Sequence, residues 1–264
     1  MPNNSQNQSA SARGNVNRRR FLQTTGTAGA AIALSTAAAN SANAQSSLSP
    51  RVEQHMVEPQ LGERPFLHGV ASGDPIPDSV ILWTRVTPDA DAMPGSGLGE
   101  ATRVEWEIAK DEGFGDVVKQ GEVTTDANQD HTVHVDPHGL EPETVYFYRF
   151  KAQDKYSPIG RTKTAPALSA SPEELTFGVA SCANWESGFF NAYGDIAQRG
   201  RADQLDYMIF LGDYIYEYPQ REYAGNGPVR LHHPAHEIIS LEDYRIRFGR
   251  YRTDENLQAA HAVS

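Results

Sequence analysis

The chain has 264 residues, of which 39% are hydrophobic, and its formal net charge is −11. This length is enough for one large or two ordinary domains, and no apolar run approaches the length of a membrane span. The first 44 residues hold four arginines and no acidic residue, so the remainder is more acidic still. We therefore expect no binding to nucleic acid, since such binding needs basic side chains to neutralise phosphates.

The first 44 residues have the pattern of a targeting segment. The letters R-R-R-F-L stand at 18–22, a stretch rich in Ala, Gly and Thr follows at 26–39, and A-N-A at 42–44 supplies small residues for cleavage. This pattern resembles a twin-arginine signal peptide. It predicts recognition by the twin-arginine export machinery and a periplasmic or secreted location. A disordered basic tail is the alternative. Residues 45–64 are polar and are predicted to be a linker.

Strand patterns follow one another from residue 65 to residue 165. Apolar and β-branched residues, separated by turn residues, predict strands at 80–86, 104–109, 117–124, 131–135, 145–150 and 160–164. The letters S-G-D-P at 72–75 predict a turn, with Asp74 as its structural Asx residue. The spacing L-x-P-x-x-x-Y at 140–146 resembles the tyrosine corner of a fibronectin type III-like sandwich. Residues 65–165 are therefore predicted to form an N-terminal antiparallel β-sandwich of that type.

After a linker rich in Pro, Ser and Ala, the pattern changes to that of an α/β domain over residues 173–264. Strands are predicted at 175–180 and 205–211, a long loop at 217–239, and helices starting near Ser240 and spanning 255–261. A further helix face is predicted from Phe189, Phe190, Tyr193, Ile196 and Ala197. Two strands and three helices do not enclose an α/β core. We expect an incomplete, truncated α/β domain; a naturally short protein is the alternative.

The ends of the two predicted α/β strands carry candidate ligands for a metal ion. One strand ends in Ser181-Cys182, and the other ends in Gly212-Asp213, with Tyr216 three residues further on. In open α/β sheets the chemistry lies just beyond the carboxyl ends of such strands. Carboxylate suits a hard cation, and phenolate suits ferric iron. The one cysteine is an odd thiol that is either buried or bound to metal. The alternative is a Gly-Asp turn followed by two core aromatics.

Three histidines and two arginines are weaker candidates for the site. His232, His233 and His236 lie in the predicted loop, where a surface or substrate-side role is the stronger interpretation than metal binding. Arg230 and Arg245 could attract phosphate, but surface ion pairing is the stronger interpretation.

Five motifs in chain order resemble the alkaline phosphatase D (PhoD-type) family, as its N-terminal part. They are F-L-H-G-V-A-S-G-D-P at 66–75, S-V-I-L-W-T-R at 79–85, G-V-A-S-C at 178–182, G-D-Y-I-Y-E-Y at 212–218, and Y-R through R-T-D at 244–254. The resemblance implies a fibronectin-like domain before a metallophosphatase domain that contains ferric iron and calcium. It implies that Cys182 and Tyr216 bind iron and that Asp213, the candidate catalytic residue, bridges iron to calcium.

The implied function is that of an exported metal-dependent hydrolase of phosphate monoesters or diesters, in which metal-activated hydroxide attacks the ester. Further family ligands lie in a Trp-Asp-Asp-His-Glu segment and beyond, none of which stands in these 264 residues, so we expect little activity from them alone. A non-catalytic exported β-sandwich binding module is the alternative function.

Overall fold

A computed structural model describes residues 62–263 of the chain. The predicted signal peptide at 1–44 and nearly all of the predicted linker at 45–64 lie outside the described residues. None of the helices that the structure describes is both long and apolar enough to cross a membrane.

Residues 62–263 contain ten β-strands, three α-helices and two short 3₁₀ segments. The strands are β1 (Val70–Ile76), β2 (Ser79–Arg85), β3 (Thr102–Ala109), β4 (Val117–Thr125), β5 (Thr132–Val135), β6 (Val145–Ala152), β7 (Lys155–Tyr156), β8 (Gly160–Lys163), β9 (Phe177–Ala180) and β10 (Tyr207–Phe210). The helices are α1 (Asn191–Arg201), α2 (Leu241–Tyr251) and α3 (Glu255–His261), and the 3₁₀ segments are Ala127–Gln129 and Trp185–Ser187.

Strands β1 to β8 form two antiparallel sheets that enclose one core. One sheet has the order β1-β2-β5; in the other, β4, β3 and β6 are neighbours, and β7 and β8 both pair with β6. Inward-facing residues alternate along the strands and are almost fully buried, as Leu82 of the first sheet and Ile108 and Tyr148 of the second illustrate. The antiparallel sandwich that the alternation predicts is therefore present, because each sheet covers the apolar face of the other.

The hydrogen bond of a tyrosine corner is present at the start of β6. The main-chain N–H of Glu141 donates to the hydroxyl of Tyr146 at 2.9 Å, and the Tyr146 ring is 1% exposed. Leu140, just before this contact, belongs to the same core. The predicted spacing of Leu140 and Tyr146 thus corresponds to a real closure of the chain onto the edge of the sandwich.

The prediction of a turn at 72–75 was wrong, because these residues lie in β1. Gly73 pairs with Ile81 of β2, and the register then shifts before Ile76. Asp74 sits at the irregularity with φ of 47°. A turn-like backbone is thus absorbed as a bulge within a strand, since pairing with β2 supplies hydrogen-bond partners that a local pattern does not reveal.

The α/β part has a parallel pair of strands and its own core. Strands β9 and β10 pair in parallel, with Ala180 opposite Phe210. One face of the pair packs on the second core, which includes Trp185, Tyr193 and Tyr251. The opposite face leaves apolar side chains in solvent: Phe177, Val179 and Ile209 are 44%, 58% and 40% exposed.

Helix α1 begins two residues later than the apolar pattern predicts. Phe189 and Phe190 were assigned to its face, but the helix starts at Asn191, and Phe190 precedes it with φ of 55° and no side-chain cap. The Phe190 ring packs instead against Trp185, Tyr193 and Tyr251. This aromatic packing, rather than local propensity, determines the start of the helix.

Helix α2 begins where the sequence predicts. The Ser240 hydroxyl accepts from the Asp243 N–H at 3.1 Å, and the Asp243 carboxylate accepts from the Ser240 N–H at 3.1 Å. This reciprocal pair is a capping box, which satisfies two main-chain donors that a helix start leaves unpaired. The buried residues of α2 include Arg247 and Tyr251, and Tyr251 belongs to the second core.

Candidate metal centre

The ends of β9 and β10 stay side by side as the chain leaves the sheet. The Cys182 N–H donates to the Gly212 carbonyl at 3.2 Å, and the Ala183 N–H donates to the Asp213 carbonyl at 2.9 Å. Cys182 and Asp213 both have left-handed backbones, with φ of 57° and 53°, and Gly212 has φ of 118°. Only glycine adopts the last value without strain. A residue other than glycine that has a left-handed backbone costs about 1–3 kcal/mol, and such residues cluster at functional sites.

This backbone brings the three predicted ligands together. The Cys182 thiol donates to Oδ2 of Asp213 at 3.5 Å, and the Tyr216 hydroxyl donates to the same oxygen at 3.2 Å. Cys182 and Asp213 are exposed and Tyr216 is half-buried. Loss of solvation, followed by hydrogen bonds with Cys182 and Asp213, raises the pKa of the Tyr216 phenol above its usual range.

The chemistry and spacing of these donors fit a shared cation. Bonds from a metal to sulfur or oxygen are about 2.0–2.3 Å, so two donors of one ion lie about 3 Å apart. The Cys182 sulfur lies 3.5 Å and the Tyr216 hydroxyl oxygen 3.2 Å from Oδ2 of Asp213, and both distances match that spacing. In the described part of the chain, His, Cys, Asp and Glu alone nowhere form a group of three or more that could hold a metal ion. The candidate set at this site consists of a thiol, a carboxylate and a phenol.

Tyrosine rings continue in a row from the candidate ligand. The Tyr216 ring stacks on Tyr218 at 5.8 Å between centroids, and Tyr218 stacks on Tyr223 at 4.0 Å. The Asn184 amide fixes the outer end of the row by donating to the Tyr223 carbonyl at 3.1 Å. The row forms an aromatic wall beside the three donors.

The histidines of the 217–239 loop do not join the three donors. His233 and His236 are exposed, and His236 bonds to the Asp243 carboxylate at 2.9 Å. His232 was expected to have a surface or substrate-side role, but it is only 3% exposed, and its ring stacks on Tyr251. The prediction for His232 was wrong because the loop folds back over the second core and buries this side chain.

The expectation of a surface ion pair at Arg230 was also wrong. Arg230 is 4% exposed, bonds to the Asp254 carboxylate at 2.5 Å, and lies 3.6 Å above the Trp185 ring. A delocalised guanidinium tolerates this burial because it can stack and form an ion pair at once. Arg245 donates to the Asn128 carbonyl at 2.9 Å. Both arginines thus have structural contacts, and neither was observed beside Asp213.

Two buried charged residues near the site were not identified from the sequence. Glu186 is 1% exposed and accepts from the N–H groups of Arg221 and His232 at 2.7 and 3.0 Å. Arg247 of α2 is 0% exposed and contacts main-chain oxygens of the same loop. One signal was available: Arg247 stands four residues before the apolar Tyr251 and so shares its helix face.

Comparison with known proteins places these elements in a family. Residues 50–166 match the PhoD-like phosphatase N-terminal domain, and residues 177–264 match the PhoD-like phosphatase domain. The chain belongs to the PhoD-like phosphatases. The expected family resemblance is therefore confirmed, and it extends over both the sandwich and the α/β part.

Two relatives define how much of a PhoD-like protein is present. Alkaline phosphatase D of Bacillus subtilis (strain 168) is 48% identical over 207 residues, which are 78% of this chain and 34% of that protein. The solved structure of PhoD superposes with a TM-score of 0.70 at 47% identity, covering 78% of this chain and 38% of the other. The chain thus spans about a third of the length of the curated relative it matches.

Proposed function

We propose that this chain is part of an exported phosphoric ester hydrolase that contains ferric iron and calcium. The convergence of Cys182, Asp213 and Tyr216 at the carboxyl ends of two parallel strands carries this proposal. Cys182 and Tyr216 would supply sulfur and phenolate to iron, and Asp213 would serve both iron and calcium. Bound there, the metals would supply Lewis-acid charge for phosphate oxygens and lower the pKa of water.

The residues of this chain have distinct roles in that proposal. Asp213 orients the other two donors, because both the thiol and the phenol hydrogen-bond to its Oδ2. The left-handed backbones of Cys182 and Asp213 fix these side chains before any ligand arrives. We assign the N-terminal sandwich to the fibronectin type III-like class on its tyrosine corner. The substrate class is that of phosphate esters, by analogy with the relative named alkaline phosphatase D, and the family resemblance implies both monoesters and diesters.

The site is tested in the full-length protein by Asp213→Ala and Tyr216→Phe. Asp213→Ala should abolish hydrolysis of a phosphate ester, because it removes the oxygen on which both other donors converge. Tyr216→Phe should remove the phenolate-to-iron absorption band while the circular dichroism spectrum stays unchanged. Asp195→Ala is the matched control, since Asp195 forms an ion pair with Arg199 on the exposed side of α1. Unchanged turnover in Asp213→Ala would reject the site.

Export forms a separate part of the proposal. The arginine pair at 18–19 motivates it, and we propose cleavage after Ala44 and a periplasmic or secreted location. Replacing both arginines by lysine should leave the protein in the cytoplasm, as followed by cell fractionation. Normal export of that double variant would refute the twin-arginine route without affecting the proposed chemistry.

A further inference from the structure

The loop at 217–239 is closed at its base although it contains no helix or strand. The Ile238 N–H donates to the Glu217 carbonyl at 3.0 Å, and the Gln220 N–H donates to the Ala235 carbonyl at 2.9 Å. The two ends of the loop therefore lie beside each other. One end continues directly from Tyr216, so the position of the loop and the position of this candidate ligand are linked.

The Arg247 side chain of α2 forms hydrogen bonds to both ends of the loop at that base. Its Nη1 donates to the carbonyls of Tyr216 and Tyr218, the latter at 3.2 Å. Its Nε donates to the His233 carbonyl at 3.1 Å, and its Nη2 donates to the Pro234 carbonyl at 3.0 Å. A planar guanidinium presents its donors in a fixed fork, so one side chain holds four carbonyls in a set arrangement.

The burial of this arginine is costly, and these contacts offset part of the cost. Arg247 is 0% exposed, and within residues 62–263 it forms no salt bridge. Burial lowers the pKa of its guanidinium, while the charges of Glu186 and Glu217 oppose that shift. A buried cation without an ion pair is retained where main-chain dipoles replace its water. The carbonyls of Tyr216 and its neighbours are those dipoles, which ties the arginine to one backbone arrangement.

We propose that Arg247 is the positioning residue for Tyr216. By holding the main chain on both sides of residue 217, it sets the phenol hydroxyl 3.2 Å from Oδ2 of Asp213. The inference rests on the proposed function only in treating Tyr216 as an iron ligand. The backbone contacts themselves exist without metal, so the position of the phenol can be measured in metal-free protein.

The experiment compares Arg247→Lys and Arg247→Met with Arg85→Lys in the full-length protein. Arg85 is a matched buried arginine, 2% exposed, which bonds to Asp130, to Thr87 and to the Ala92 carbonyl of the sandwich. All proteins carry 3-fluorotyrosine, and the Tyr216 resonance is assigned from the Tyr216→Phe variant. The measurements are fluorine NMR of metal-free protein, the phenolate-to-iron band after loading, kcat and KM, and thermal denaturation.

We expect both Arg247 variants to shift or broaden the Tyr216 resonance, and Arg85→Lys to leave it unchanged. Because displacement of a catalytic group by about 1 Å can lower the rate about 10²-fold, kcat should fall by that order with a smaller change in KM. Lysine should recover part of the effect, since it keeps the charge but loses the fork. Arg85→Lys should lower the melting temperature while retaining the band and kcat.

Two results would overturn the proposal. One is an unchanged Tyr216 resonance and unchanged kcat in both folded Arg247 variants. The other is an equal change in Arg85→Lys, which would make the role of Arg247 merely structural. Absence of the phenolate band in the loaded wild-type protein would instead reject the iron assignment, and the fluorine spectra would still decide whether Arg247 positions Tyr216.

Discussion

At the scale of single residues, the position of the candidate ligands depends on residues that would take no part in the chemistry. Asp213 attracts the thiol and the phenol only because Gly212 lets the chain turn out of β10. The loop that follows is held by opposite buried charges, Glu186 and Arg247, which bind main-chain N–H and C=O groups respectively. Cys182 and Asp213 are thus exposed and Tyr216 is half-buried, but their supports are buried, which is the arrangement that preorganises a site.

Glu186→Gln tests the carboxylate support. Glutamine has one acceptor oxygen, so its NH₂ group would face the N–H of Arg221 or of His232, each of which now donates to Glu186. Leaving a buried donor unpaired costs about 1–3 kcal/mol, and we expect the free energy of unfolding by urea to fall by that amount. Glu255→Gln, at an exposed position in the first turn of α3, should change it by no more than about 0.5 kcal/mol. Equal stability of Glu186→Gln and wild type would contradict this account.

At the scale of helices and strands, the sequence predicted what depends on period and caps. Apolar and β-branched runs predicted β2 to β6 and β8 of the sandwich and the two parallel strands, and Ser240 predicted the start of α2. Prediction from the sequence failed where contacts with residues distant in the chain determine the conformation. Pairing with β2 turned residues 72–75 into a strand, and burial of Phe190 among other aromatics moved the start of α1.

The same distinction applies to the candidate site. Residue type and position after a strand were sufficient to select Cys182, Asp213 and Tyr216, because parallel strands end at a common edge. The sequence could not supply Arg247 or Glu186. Charged residues are nearly always exposed, and their burial here depends on a loop whose course has no period. The role of Arg247 and Glu186 in holding the loop was therefore identified from the structure and not from the sequence.

At the scale of the whole molecule, main-chain contacts join the sandwich to the α/β part. The Arg252 guanidinium donates to the carbonyls of His68 and Val70 at 3.1 and 3.2 Å, and the Arg161 N–H donates to the Ala262 carbonyl at 2.6 Å. Several histidines are buried in this assembly. Burial, followed by nearby positive charge, lowers the pKa of His68 and of His261, and it lowers the pKa of His232 to about 3.

These histidines make the fold sensitive to acid. Because the pKa of folded His232 lies below its unfolded value of about 6.5, the unfolded chain binds more protons between those two pH values. Its contribution is complete above about pH 6.5 and is lost as the pH falls towards 3; linkage gives a loss of about 2 kcal/mol by pH 5. His232→Phe, which keeps a ring against Tyr251, should reduce the difference in unfolding free energy between pH 7 and pH 5 by about that amount.

The matched control for that experiment is His134→Phe, at an exposed position of β5. Urea unfolding followed by tryptophan fluorescence at the two pH values measures the difference for each protein. The control should keep the pH dependence of the wild type. A His232→Phe variant with the same pH dependence as the wild type would show that the histidine is already protonated, or solvated, in the folded state.

The exposed thiol of Cys182 has a consequence for handling the protein. It is the one cysteine in these 264 residues, and it lies beside the Asp213 carboxylate at the open edge of the sheet. Accessible thiols are open to oxidation and to alkylating reagents, and a bound metal shields the sulfur. Under the proposed function, a single alkylation event, seen by intact mass, would therefore report the fraction of molecules without metal at Cys182. Under the proposed export, an oxidising compartment would favour molecules whose metal is bound before they arrive.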